Sequence, residues 1–386
     1  MEPFKNLLSP ALVQDTAALL TRHAAQAGLP FDGGRFAALA GQGLEALELK
    51  ARAMQLCDAL LATLPAHFDT AAGLLETALA PPTPDGEVSP PAGLQNGLRG
   101  WVLWPVGEFV ARQGQAQPAR ALATLHALTQ RFTAEFAIRP FIVRHPALCF
   151  ETFEAWQHDP SAHVRRLVSE GSRPRLPWGL RLQALVQDPS PTLPLLRTLQ
   201  DDSSPYVRRS VANHLNDIAK DHPDLVTGWV AQHLPGAGAE RRALLRHASR
   251  TLVKQGHAGT LQAWGLGRPL QGRAQLQLAP TLVVLGGALQ LALTLRSTTA
   301  TPQRLALDYT VHHVKADGSR SPKVFKGWTL ELPARGEATL LKRHALRPIT
   351  TRRYHAGRHE ITVQANGVVV ARGHFELRLD GDGVTY

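Results

Sequence analysis

Asp159-Pro-Ser-Ala-His-Val-Arg-Arg-Leu-Val-Ser-Glu170 and Asp202-Ser-Ser-Pro-Tyr-Val-Arg-Arg-Ser-Val-Ala-Asn213 align at a spacing of 43 residues. Each opens on a short capping segment, continues through Val-Arg-Arg and closes on a polar residue. A period of about 40–47 residues is that of HEAT-type helical pairs, which cannot bury their apolar faces alone and stack to do so. The two stretches therefore predict an α-solenoid of HEAT-like helical repeats. On a wheel of roughly 100° per residue, Val164, Leu167 and Val168 cluster on one side, while Arg166 and Glu170 fall nearly opposite and face outward together. In the second unit Val207, Val211 and Ile218 form the apolar stripe, Arg209 and Asn213 point away from it, and Asp217 sits at its edge. A single pair of this kind is ordinarily a solvated face with a weak i,i+4 contact. Recurrence in neighbouring units predicts a binding surface instead.

The charge is distributed to match. The chain of 386 residues carries a net charge of +11. Residues 1–130 hold 8 basic and 11 acidic groups, residues 131–270 hold 18 and 12, and residues 271–386 hold 16 and 8, so the basic surface begins where the repeats begin. Of the 42 basic residues 34 are arginines, suited to bidentate phosphate contacts, although GC-rich codon usage alone also raises arginine. Cys57 and Cys149 lie in apolar helical patterns without CxxC or Cys/His spacing, which argues against a disulfide framework or a metal site and for a reducing cytoplasm. The start of the chain lacks the charge pattern of a secretory signal. The apolar run from Thr281 to Leu295 is too short to span a bilayer, and Gly286-Gly287 within it reads as a turn between two strands.

Helical periodicity covers Ala11 to Leu20, Phe36 to Leu44 and Glu48 to Leu64; the prolines between Pro81 and Pro91 predict a surface loop. Helices resume near Gly93, include Ala119 to Phe136, and continue to about Trp264, with Arg241 to Val253 as a further basic helix. After Gly265-Leu-Gly-Arg-Pro269 the pattern changes to period two, as in Leu289-Gln-Leu-Ala-Leu-Thr-Leu and Leu305 to Val314. Turns at Asp317-Gly318, Ala334-Arg-Gly336 and Asn366-Gly367 separate the segments. About seven short strands following the helices without interleaving predict an all-β immunoglobulin-like sandwich. The expected domains are a repeat domain over 1–270 and a sandwich over 271–386.

The unusual residues concentrate in Arg139-Pro-Phe-Ile-Val-Arg144, Trp156, Val164 to Trp178 and Val207 to Asp217. Val-Arg-Arg-Leu-Val-Ser-Glu-Gly-Ser-Arg-Pro-Arg-Leu-Pro-Trp, followed by Val-Arg-Arg-Ser-Val-Ala-Asn-His-Leu-Asn-Asp-Ile, resembles the HEAT-like-repeat alkylpurine DNA glycosylases, closest to the AlkC type, whose members commonly carry an immunoglobulin-like domain after the repeats. Tyr309-Thr-Val-His-His-Val-Lys315 to Trp328 fits that second domain. The resemblance covers roughly residues 95–380; the first 90 match only as generic helices.

That resemblance implies hydrolysis of the N-glycosidic bond of a damaged base in alkylated double-stranded DNA by a monomeric, monofunctional enzyme of the bacterial cytoplasm, at the nucleoid. It needs no cofactor or metal. Carried over by position, the active-site residues are Glu135, Arg166, Glu170, Trp178 and Asp217. Arg165, Arg173, Arg208, Arg209 and Arg246 would hold phosphates, and Lys315, Arg320, Lys323 and Lys326 would add a DNA contact from the sandwich. The chemistry of these residue types agrees. Bond cleavage builds positive charge on the sugar, which carboxylates stabilise while orienting water. A base alkylated at a ring nitrogen, 3-methyladenine for example, is already cationic and leaves without protonation. Trp178 offers a flat apolar surface. The absence of lysine between Lys50 and Lys220 disfavours a Schiff-base lyase. Trp178 read alone is as readily a plug at a repeat junction, Asp217 a local cap, and Glu135, taken as helical, rests mainly on the resemblance. Two other functions fit parts of the sequence: a non-catalytic HEAT scaffold binding DNA or protein, and a glycoside hydrolase with an appended sandwich. The paired carboxylates beside Trp178 argue against the first, and the basic repeats against the second.

Overall fold

The computed structural model describes residues 3–84, 94, 96–349 and 352–379; most of the proline-rich loop lies outside them. The chain divides into two compact units, one comprising residues 1–221 with Ala239–Ala248, the other His222–Gly238 with Ser249–Tyr386. This division falls earlier than the change from helices to strands, since two helical stretches belong with the sandwich.

The first unit is helical, with α1 (Pro10–Ala27), α2 (Gly33–Gly41), α3 (Leu49–Thr63), α4 (Phe68–Thr77), α5 (Leu103–Gln113) and α6 (Pro118–Thr129). It continues through α7 (Arg139–Arg144), α8 (Pro146–Trp156), α9 (Ala162–Gly171), α10 (Gln183–Gln187), α11 (Leu193–Leu199) and α12 (Pro205–Ile218). The second unit contributes α13 (Pro223–His233), α14 (Ala239–Ala248) returns to the first, and α15 (Arg250–Gln255) and α16 (Ala258–Ala263) precede the strands. The expected basic helix from Arg241 to Val253 is thus two helices, interrupted at Ser249.

The 43-residue register is visible in the hydrogen bonds. Asp159 accepts the backbone N–H of Ser161 and Asp202 that of Ser204, both at 2.8 Å, so each capping segment closes as an Asx turn. Arg165 then donates to the carbonyls of Asp159 and Pro160, and Arg208 to those of Asp202 and Ser203. Each of these arginines also reaches into the following repeat: Arg165 pairs with both oxygens of Asp202, at 2.7 and 3.0 Å, and Arg208 with Glu240 at 2.8 Å. The apolar stripes do the complementary work. Val164, Leu167, Val168, Val207, Val211 and Ile218 are all buried, α9 packs on α12, and α12 on α14.

Strands β1 (Gly272–Ala279), β3 (Ala288–Ser297) and β6 (Glu337–Ala345) form one sheet in the order β1-β3-β6. The other runs β2-β8-β7-β4-β5, with β2 (Leu282–Val284), β4 (Gln303–Val314), β5 (Arg320–Leu332), β7 (Gly357–Ala365) and β8 (Val368–Arg378). Pairing is antiparallel except for β2 with β8. Alternate residues of β3, β4 and β7 fill the core, among them Leu291, Leu293, Leu307, Val311, Ile361 and Val363. The anticipated turns all join strands; Asn366-Gly367, with φ of 49° and 81°, has the two left-handed residues a tight hairpin needs.

Candidate active site

Glu135, Arg166, Glu170, Arg173 and Asp217 come together in the first unit and, with Lys220, form a continuous chain of alternating charge. Glu135 accepts a close ion pair from Arg166 and a hydrogen bond of 2.6 Å from Thr133, whose hydroxyl accepts from Arg166 at 2.8 Å. Arg166 reaches Glu170 at 3.5 Å, one turn along α9. Arg173 donates to Glu170 at 2.6 Å and, through Nε, to Asp217 at 2.8 Å. Lys220 closes the series on the second oxygen of Asp217 at 2.8 Å. Three carboxylates thus alternate with three cations.

The wheel placed Arg166 and Glu170 on an outward face, yet Glu170 is buried, at 5% exposure, and the Arg166 side chain is mostly covered. A helical wheel gives direction around one helix only. The polar side of α9 is covered by Thr133 and Glu135, by Tyr206, whose ring centre lies 5.1 Å from the Arg166 guanidinium, and by Ser210, which donates to Glu170 at 2.6 Å. Burial opposes ionisation of Glu170, but Arg166, Arg173 and the Ser210 hydroxyl outweigh it and hold its pKa below the ordinary carboxylate value.

Glu135 is not helical. Helix α6 stops at Thr129, and Glu135 stands in the turn that leads to α7. The side chains of Gln130 and Arg131 fold back onto the carbonyls of His126 and Ala127, satisfying the last turn of α6. Pro140 at the start of α7 allows a new helix to begin there. The carboxylate oxygens also differ in what they hold. Both oxygens of Glu170 and both of Asp217 are engaged, whereas Oε1 of Glu135 accepts no hydrogen bond from the described residues.

Trp178 is 71% exposed, so it plugs no junction; its φ of 65° is a left-handed conformation that a bulky residue rarely adopts. It stands on the loop after α9 that also carries Arg173. Arg139, fully buried, donates to the carbonyl of Gly171 at 2.8 Å and to that of Leu180 at the other end of this loop. Arg175 pairs with both oxygens of Asp221 at 2.6 Å.

The residues expected to hold phosphate separate into groups. Arg165 and Arg208 are committed to the staples between repeats, and Arg173 lies within the carboxylate chain, 7% exposed. Arg209 on α12 and Arg246 on α14 are exposed. Lys315, Arg320, Lys323 and Lys326 are exposed on the β4–β5 hairpin, Arg320 paired with Glu360. Thr133, Ser210 and Lys220 were given no role by the sequence reading, and Arg139, singled out there as unusual, was assigned none. Ser210 had a visible signal, since it occupies the register position of Leu167, and Arg139 stands as a lone charge between Ile138 and Phe141. Among the described residues no cluster of His, Cys, Asp and Glu fits a metal ion, and no helix is long and apolar enough to cross a membrane.

Residues 273–379 match the family model described as the C-terminal Ig-like domain of the uncharacterised protein YhaZ. The chain is 37% identical to the uncharacterized protein YhaZ of Bacillus subtilis over 278 residues, 71% of this chain and 75% of that one. Among solved structures, the Pseudomonas fluorescens alkylpurine DNA glycosylase AlkC, bound to DNA containing an abasic site analog, superposes with a TM-score of 0.87 at 33% identity. That match covers 98% of this chain and 100% of the other.

Proposed function

Since the chain belongs to the HEAT-like-repeat DNA glycosylases of the AlkC type, we propose that it hydrolyses the N-glycosidic bond of cationic N-alkylated bases, of the 3-methyladenine kind, in duplex DNA. The observation that carries this reading is the chain of buried carboxylates paired with arginines, which ends on one unengaged oxygen, Oε1 of Glu135. As the bond breaks, positive charge develops on the sugar. Fixed negative groups in a site of low dielectric stabilise that charge without having to reorganise. Arg166 and Arg173 keep Glu170 charged despite its burial. Glu170 and Asp217 supply the field, while Glu135 Oε1 accepts a proton from the attacking water. The base is already cationic and departs unprotonated, so the site needs no general acid.

Trp178 presents its ring to the lesion or its sugar. Arg209, Arg246 and the exposed lysines of the sandwich hold phosphates, whereas Arg165 and Arg208 keep the repeats in register. The product is an abasic site, released without a covalent intermediate. The deciding measurement is release of methylated base from alkylated duplex DNA under single-turnover conditions. Excision by the wild type and its loss in Glu135→Gln support the assignment. DNA binding without any base release would leave a HEAT-repeat scaffold.

A further inference from the structure

Arg139 stands apart from the carboxylate chain of the site. It is fully buried, yet no carboxylate lies within ion-pair distance among the described residues. Its guanidinium instead binds two carbonyls: Gly171, where α9 ends, and Leu180, where the following loop turns back toward α10. The third nitrogen, Nη2, is buried without a hydrogen-bond partner. Burial pushes the group down to about 10, with Arg173 adding repulsion. A buried guanidinium so poorly compensated is a poor stabiliser. What it does accomplish is geometric, since a planar fork fixes both ends of one loop relative to each other.

That loop carries Arg173 and Trp178, and its apex is strained: Trp178 sits in the left-handed region and is mostly in solvent. Strain of this kind persists only where the surroundings over-determine the backbone. Within the loop the restraints are a hydrogen bond from Gly179 N–H to Leu176 at 3.3 Å and one from Leu182 N–H to Pro174 at 3.2 Å. Gly179 also lies against the Arg139 side chain, where a Cβ would stand 3.3 Å from Cδ and Nε and 3.0 Å from the Leu176 Cδ2, both side chains meeting it. We propose that Arg139 is a positioning residue that holds Trp178 in its strained, exposed conformation for engagement of the alkylated nucleotide. This rests on the reading of Trp178 as a DNA contact.

The test is a double-mutant cycle in the full chain. Arg139→Lys keeps the charge and removes the fork; Trp178→Ala removes the group it serves. Single-turnover excision, DNA affinity and thermal unfolding are measured for each single variant and for the pair. Arg139→Lys is expected to lower excision about 10- to 100-fold in the wild-type background, and to have little further effect once Trp178 is alanine. A role confined to stability would lower excision by the same factor in both backgrounds, and that additive outcome overturns the proposal. Gly179→Ala presses on the same contact from the loop side. It should show the same dependence on Trp178, and keeps the test open if Arg139→Lys does not fold. Wild-type excision in Trp178→Ala would instead overturn the role of Trp178 on which the inference stands.

Discussion

Arg173 separates the two uses of arginine in this protein, and Arg173→Met shows which one applies. In the structure its guanidinium lies between Glu170 and Asp217, which are 5% and 2% exposed. The methionine fills much of the volume and leaves two buried carboxylates short of a partner. Removing one member of a buried ion pair costs about 3–5 kcal/mol. For a unit of this size, at about 2–4 °C per kcal/mol, the thermal midpoint should fall on the order of 10 °C near neutral pH. The sign with pH follows from Glu170. In the wild type its pKa is depressed in the folded state, so its stabilising contribution is complete above the unfolded value and is lost as pH falls through the folded one. In the variant burial persists with one guanidinium fewer, the folded state favours the neutral acid, and protonation relieves the defect. The gap between the two midpoints should therefore narrow on acidification, and the acid limb of the single-turnover profile should move to higher pH. Affinity for duplex DNA should be retained. A gap that stays constant from neutral pH to about pH 5 would refute the claim that Arg173 holds Glu170 ionised, and a large loss of DNA affinity would return it to the phosphate-binding group.

Glu135→Gln, Glu170→Gln and Asp217→Asn should each bind alkylated DNA at least as well as the wild type while excising about 10²–10³-fold more slowly; wild-type rates in all three would place the chemistry elsewhere. DNA affinity should fall steeply with salt, by a log–log slope of about −0.9 for each phosphate neutralised, and the slope should become shallower by about that amount in Arg209→Ala but not in Arg165→Ala. In the sandwich, burial pushes His313 down to about 3 and His344 down to about 4. Both are neutral in either state above about pH 6.5, and below it the unfolded chain takes up protons that the folded one refuses, so stability falls by up to about 1.4 kcal/mol per pH unit for each. Denaturant unfolding of wild type and His313→Leu on either side of that pH measures this, and an equal pH slope in the two proteins would exclude His313 as its source.

The features legible in the sequence are those set by local periodicity. The match of Asp159–Glu170 to Asp202–Asn213 carried the solenoid because an Asx turn, an apolar stripe and an arginine at a fixed offset are each defined within a dozen residues. The hairpins at Asp317-Gly318 and Asn366-Gly367 were readable because glycine and asparagine favour left-handed backbone, which Gly318, Asn366 and Gly367 adopt, and because the Asp317 carboxylate closes an Asx turn onto Ser319. Function, by contrast, depended on what covers each helix face. Arg165 and Arg173 look alike in sequence, both basic and both beside the Glu170 motif, yet one staples Asp202 and the other bridges two carboxylates. Only the stacking of α9 on α12 distinguishes them. Glu135 was misplaced on a helix for a related reason, since apolar residues from Phe132 to Ile142 continue a helical pattern through a break made by side chains folding back onto α6. The position that sequence valued least is thus the one whose carboxylate retains an unengaged oxygen. A residue freed from helical geometry by a turn can aim one oxygen away from its ion pair, whereas Glu170, held by Arg173 and Ser210, and Asp217, held by Arg173 and Lys220, have both oxygens engaged and act through their fixed charge.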